Sequence, residues 1–202
     1  MSLNFSEKLL KSKKATITLV AFCFGFYWLF AFQLPRTDFW LNFTLYTLLF
    51  TTYLFFIFQK LNWKIILGIG VLFRLIFLFS IPELSDDFYR FYWDGLQSLA
   101  GNSPFAYLPS DSFTKELTPI YTKLNSPNYY SVYPGMNQLI YAFSAFVGQS
   151  LRGFVFTVKA LMIGSELLSF YFIYRLLQLQ NKGLYLLSWY FLNPLVILEF
   201  TG

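Results

Sequence analysis

Apolar residues along this chain come in long blocks separated by short polar breaks. A bilayer core of roughly 30 Å needs about 20 apolar residues wound as helix. The block over 16–34 carries no charge and predicts a first membrane span. Its length, its lack of a small-x-small cleavage site and its bulky end at Phe32, Gln33 and Leu34 separate it from a signal peptide. Further spans are expected over 39–58, 64–80, 154–177 and 183–200. The stretch 135–148 is apolar but short, a length typical of interfacial or re-entrant helices, and is read as a juxtamembrane helix.

Between the third block and that short helix the chain changes character. Over 81–134 it carries Pro82, Pro104, Pro109, Pro119, Pro127 and Pro134, with Glu83, Asp86, Asp87, Asp94, Asp111 and Glu116 among its acids. A loop this long is either functional or disordered, and its many aromatic residues argue against disorder. The expected fold is all-α: a polytopic transmembrane helical bundle with a large extracytoplasmic loop containing short helices. It forms a single membrane domain over 1–202, read as the N-terminal part of a longer protein.

Composition agrees. The chain is 56% hydrophobic and 12% charged, against about 25% charge in soluble domains. The net charge is +5, but the cations sit at block ends and not on one basic face, which excludes nucleic acid as a partner. Lys8, Lys11, Lys13 and Lys14 precede the first span and place the N-terminus in the cytoplasm. Lys60 and Lys64 bring the second span back there, so the loop 81–134 faces outward. A full crossing by 135–148 would put Arg175 and Lys182 outside. An interfacial placement keeps them inside, satisfies the positive-inside rule and is preferred. The last span then carries Glu199 to the side of the loop. The expected setting is a bacterial inner membrane.

Cys23 is the single cysteine and histidine is absent. No internal disulfide can form, and His-based triads and His-rich zinc sites are excluded. A general base must be a carboxylate, Lys, Tyr or water.

The sharpest candidate for chemistry is SDDFYRFYWDG, residues 85–95. Ser85 suits a helix N-cap, with Asp86 and Asp87 in the first turn. Asp87 and Asp94 lie seven apart on one helical face, with Arg90 between them, while Asp86 lies on the adjoining face. One reading is an interfacial helix with ion pairs, its Phe88, Phe91, Tyr92 and Trp93 facing the membrane. The other is a carboxylate cluster that takes a proton from a hydroxyl or holds a divalent cation, with Arg90 holding a phosphate. Arg74 lies mid-span, where an arginine is costly. It is either functional or neutralised by snorkelling or by a carboxylate such as Glu166. Arg152 is either a headgroup anchor or a phosphate contact. Lys159 and Glu166 read as structural ion-pair partners of neighbouring helices.

The segment SDDFYRFYWDG followed by AGNSPFAYLP resembles mannosyltransferase-like proteins of the GT-C glycosyltransferase superfamily. Members often show SDD-x-Y-R-Y-x-W-D-G, then G-x-N-P-Y, then Y-P-P, then N-P-L with an acidic residue. The counterparts here are 85–95, 101–107, Tyr133-Pro134-Gly135 and Asn193-Pro194-Leu195 with Glu199, in the same order. The departures are Tyr-Pro-Gly in place of Tyr-Pro-Pro, and a chain that stops at Gly202 where relatives continue with a Gly-x-Gly-His segment. The resemblance implies an integral membrane enzyme that moves a sugar, mannose first, from a polyprenyl-phosphate donor to a glycan, lipid or protein acceptor. It implies Asp86 or Asp87 as the base, or as metal ligands where Mg or Mn is needed. Arg90 and Asp94 would order that acid, Arg152 would meet the donor phosphate, and Glu199 would lie near a second substrate-facing loop. Arg74 completes the candidate substrate-binding set. The alternatives are a transporter or lipid-binding protein lined by Arg74, Lys159 and Glu166, and an inactive fragment or scaffold. Membrane lipids are partners in every case.

Overall fold

A computed structural model describes residues 13–111 and 118–202. Lys8, Lys11 and Glu116, used in the arguments above, lie outside the described residues. The described residues are helical, without strands. In chain order they form α1 (Lys13–Phe32), α2 (Phe39–Phe58), α3 (Trp63–Phe77), α4 (Asp87–Leu99), α5 (Thr118–Tyr121), α6 (Gly135–Gly148) and α7 (Leu151–Leu179). A 3-10 turn (Leu184–Leu187) follows, then α8 (Ser188–Phe191) and α9 (Pro194–Thr201).

Three of these helices, α1, α2 and α7, are long and apolar enough to cross a membrane. They match the expected spans 16–34, 39–58 and 154–177. The other two expected spans differ from the reading. The block 64–80 yields α3, only 15 residues long. The block 183–200 is a pair of helical segments bent by 51° instead of one straight helix. The break has a local cause. Pro194 has no N–H to continue the ladder, and the Asn193 side chain accepts from Leu195 N at 2.9 Å, so one helix stops and another starts.

Chain contacts divide the molecule into two compact units. One comprises Met1–Glu83 and Met162–Gly202, the other Leu84–Leu161. No turn or proline marks the second boundary, because it falls inside the continuous helix α7.

In the first unit α1 packs on α2 and α3 around Tyr27, whose ring centroid is 4.8 Å from that of Phe73 and 5.8 Å from that of Phe77. Gly70 lets α8 close on α3: a Cβ there would fall 2.3 Å from the Phe191 ring. The starts and ends of these helices bring cations to one end of the unit. Thr16 donates to Gln59 at 2.8 Å, the Lys60 ammonium lies 5.2 Å from the Tyr185 ring, and Trp63 meets Tyr174 at 5.1 Å. Lys13, Lys14, Lys60, Lys64, Arg175 and Lys182 are therefore exposed at or beside these contacts.

In the second unit α4 lies along α6. Gly95 is the contact point, since a Cβ there would sit 2.5 Å from the Tyr141 carbonyl oxygen. Phe91 stacks on Tyr141 with centroids 4.7 Å apart. The four α4 aromatics expected to face the membrane do not form an outward face. Phe88, Tyr92 and Trp93 are buried and Phe91 is half-buried, with Tyr92 against Phe154 of α7 at 5.0 Å and Trp93 against Tyr121 of α5 at 5.7 Å. Ser85 Oγ accepts from Asp87 N at 3.1 Å, so Ser85 does cap the helix. It does so from one residue further out than expected, with Asp86 at the N-cap position and only Asp87 in the first turn. The helix ends at Gly101, whose φ of +83° suits glycine. Asn102 then folds back, its N–H on the Gln97 carbonyl and its amide on the Gln97 side chain, both at 2.9 Å.

Gly95→Val should therefore push α4 off α6 and open the second unit. Overpacking of this kind costs about 1–3 kcal/mol or more. Faster proteolysis within 81–134, relative to the parent protein, is the expected readout.

Helix α6 has the bounds expected of it and is 14 residues long. One face is buried through Gln138, Tyr141, Ser144 and Ala145. The opposite face exposes Met136, Leu139, Phe143, Phe146 and Val147. Its segment contains no charged residue.

Candidate functional site

The second unit holds a cleft of about 330 Å³. Asp87 and Arg90, from the first turns of α4, form one wall. The segment SPNYYSVY, residues 126–133, forms much of the rest. Two loop residues lie across the start of α4 and decide how its charges pair. Asn125 donates its amide to Asp87 Oδ1 at 2.6 Å. Arg90 Nη1 donates to the Ser126 carbonyl at 2.7 Å and to its hydroxyl at 3.1 Å.

Arg90 turns its Nε to Asp94 Oδ1 at 2.8 Å, in an ion pair almost fully withdrawn from solvent. Gln138 of α6 donates to the other Asp94 oxygen at 3.2 Å and to Ser131 Oγ at 2.6 Å. Asp94 is thus engaged at both oxygens, only 1% exposed, and absent from the cleft lining. It holds Arg90 in place and makes no wall of its own. Arg90 Nη2 is buried without a hydrogen-bond partner among the described residues. A buried donor of this kind is costly unless something else accepts from it.

Asp87 keeps one carboxylate oxygen not claimed by Asn125 and is half-buried at the cleft. Asp86, its neighbour at the N-cap position, does not line the cleft. Tyr133 completes the wall, its ring edge-on to Phe91 at 4.8 Å. Burial first, and the Asp87 carboxylate next, push the Tyr133 hydroxyl above the ordinary phenol range. It therefore faces the cleft chemistry as a neutral group at physiological pH.

The other expected site residues lie elsewhere. Arg152 is exposed in the first turn of α7 and does not line the cleft. Glu199 is exposed on α9 in the first unit. Arg74 is fully buried in the first unit, donating to the Gly70 and Phe191 carbonyls at 3.0 and 2.9 Å and to Glu166 Oε2 at 2.9 Å. Its guanidinium carbon also lies 4.0 Å from the Phe191 ring centroid. Tyr190 donates to the second Glu166 oxygen at 2.6 Å. Arg74 has the carboxylate partner, Glu166, that the sequence offered for it. Lys159 is buried within α7.

For a metal the donor set is thin. Among the described residues no group of three or more His, Cys, Asp and Glu side chains is placed to share an ion. Asp86 and Asp87 gain no third acid, and one Asp87 oxygen already accepts from Asn125.

Asn125, Ser126, Ser131 and Gln138 are absent from the sequence-based candidates, as are Tyr129 and Tyr130. The signal available was the dense run of Ser, Asn, Pro and Tyr just before α6. Comparison with protein-family models, with curated proteins and with solved structures found no match to the chain.

Proposed function

We propose that this chain is an integral membrane glycosyltransferase that moves a sugar, mannose first, from a polyprenyl-phosphate donor to an acceptor hydroxyl on the outer face of the membrane. One observation carries the reading. An aspartate with an available oxygen stands at a cleft, 2.6 Å from a positioning amide and three residues before a buried arginine. That is the equipment for taking a proton from a hydroxyl. The motif blocks named in the sequence add the donor class by resemblance.

In the proposed step, the acceptor oxygen attacks the anomeric carbon as its proton passes to Asp87. The bond from that carbon to the phosphate oxygen breaks, and polyprenyl phosphate leaves with the bonding electrons. A single displacement inverts the anomeric configuration. Of the two aspartates expected from the sequence, Asp87 is the base in this reading, since Asp86 does not line the cleft. Arg90 meets developing negative charge with its free donor. No step is assigned to a metal ion.

The test is transfer from polyprenyl-phosphate mannose in membranes carrying the protein, beside its Asp86→Ala/Asp87→Ala variant. Loss in the variant alone supports the reading. Equal transfer by both, with insertion verified, removes it.

The orientation belongs to the same reading. Gathering of Lys13, Lys60, Lys64, Arg175 and Lys182 at one end of the first unit favours a common cytoplasmic side, with α6 lying in the interface and not crossing. A nitroxide on Phe143→Cys, in a Cys23→Ala background, is then expected to be relaxed more by oxygen than by an aqueous nickel reagent. The reverse order would place that face in water. The transporter alternative draws less support, because Arg74 and Glu166 are closed onto one another and onto backbone.

A further inference from the structure

We infer that the cleft of the second unit is a saccharide subsite, taking a sugar ring of the acceptor against Tyr129 and Tyr130; the inference rests on reading that cleft as the reaction site. Two large rings stand exposed at its wall, Tyr129 at 69% and Tyr130 at 53%. Apolar rings left open beside a polar floor suit a ligand that has one C–H face and a hydroxyl-bearing edge. A pyranose is such a ligand.

The polar groups fit the same shape. A hydroxyl donates and accepts at once, and the Asn125–Asp87 pair offers both partners side by side: an amide N–H and a carboxylate oxygen 2.6 Å apart. Arg90 lines the same cleft, is 2% exposed, and keeps Nη2 buried without an acceptor among the described residues. A ligand oxygen would satisfy it.

Other ligand classes fit less well. Val132 is the sole aliphatic residue of the lining, which gives an acyl chain little to pack on. Arg90 opposes a cation. The volume, about 330 Å³, lies at the lower end of small-ligand pockets, which run from about 300 to 1,000 Å³. That suits a sugar ring with part of its neighbour.

Saturation-transfer NMR on the full chain in detergent tests this, with methyl α-mannoside, methyl α-glucoside and mannobiose as probes and a neutral tripeptide as the comparison. Transfer to the ring C–H protons of at least one saccharide is expected. Tyr129→Ala and Tyr130→Ala should each weaken it about tenfold, the scale of one aromatic contact, while Tyr129→Phe keeps the stacking face and retains binding. Undiminished saccharide binding in both alanine variants overturns the subsite. So does sugar transfer onto a peptide or lipid acceptor by a protein that binds no saccharide, a result that leaves the transferase reading standing. Saccharide binding that depends on Tyr129 and Tyr130, in a protein that transfers from no polyprenyl-phosphate donor, supports the subsite and removes the transferase.

Discussion

Arg74→Ala should lower the stability of the chain by about 3–5 kcal/mol, the usual cost of removing one partner from a buried ion pair. The number follows from what the guanidinium holds. Pro194 has no N–H and Leu195 N turns to the Asn193 side chain, so the Phe191 carbonyl has no helical donor after the break. Arg74 fills that position at 2.9 Å while it pairs with Glu166 at 2.9 Å and covers the Phe191 ring. Alanine would leave the Phe191 carbonyl bare and Glu166 with Tyr190 alone. At the size of this chain such a loss corresponds to a fall in Tm of roughly 10 °C, readable by thermal unfolding in detergent. Arg74→Lys should fall between the two, because an ammonium lacks the planar fork that reaches several acceptors together. Arg74→Met/Glu166→Leu should recover much of the loss, since no lone charge remains buried. A wild-type Tm for Arg74→Ala would mean that these Arg74 contacts contribute nothing to stability.

The second large effect separates two neighbouring carboxylates. Asp87→Asn is expected to cut sugar transfer by about 10²–10⁴, the usual contribution of a general base. Asp86→Asn should keep most of the activity and lose only helix-start stability. The asparagine replacing Asp87 retains the size of the side chain and an oxygen for Asn125, so the cleft should keep its shape while the proton acceptor is gone. Initial rates at saturating donor, with reconstituted protein amounts matched, decide the matter. Equal losses in the two variants would remove the assignment of Asp87 as base.

Much of the helical layout was legible in the sequence, because apolar blocks of this length with so few charges leave few other folds. Phe39–Phe58 and Gly135–Gly148 carry the expected bounds. The break at Asn193–Pro194 is written in the sequence too, but hydropathy averages over it and reports one block. At the site, the spacing of Asp87, Arg90 and Asp94 identifies a charged face without saying which pairs form. That choice is made by Asn125 and Ser126, over thirty residues away in the chain, and no periodicity within α4 carries it. The burial of Phe88, Tyr92 and Trp93 was hidden for the same reason: a surface helix and a covered helix share an amphipathic pattern, and only the α4–α6 contact at Gly95 tells them apart. Three of the blocks that suggested a family also have local structural work. Gly101-Asn102 ends α4, Pro134-Gly135 begins α6 and Asn193-Pro194 begins α9.

The shortness of α3 has a consequence for the lipid around it. Fifteen residues of helix extend about 22 Å, against a hydrocarbon thickness of roughly 30 Å. If α3 crosses beside α1 and α2, the neighbouring leaflets must dip toward it, with the exposed Lys64 near its N-terminus drawing headgroups inward. Lipids with shorter acyl chains would meet that length with less deformation. The protein should accordingly partition toward thin regions of a bilayer, and acyl-chain length should act on it as a control independent of headgroup charge.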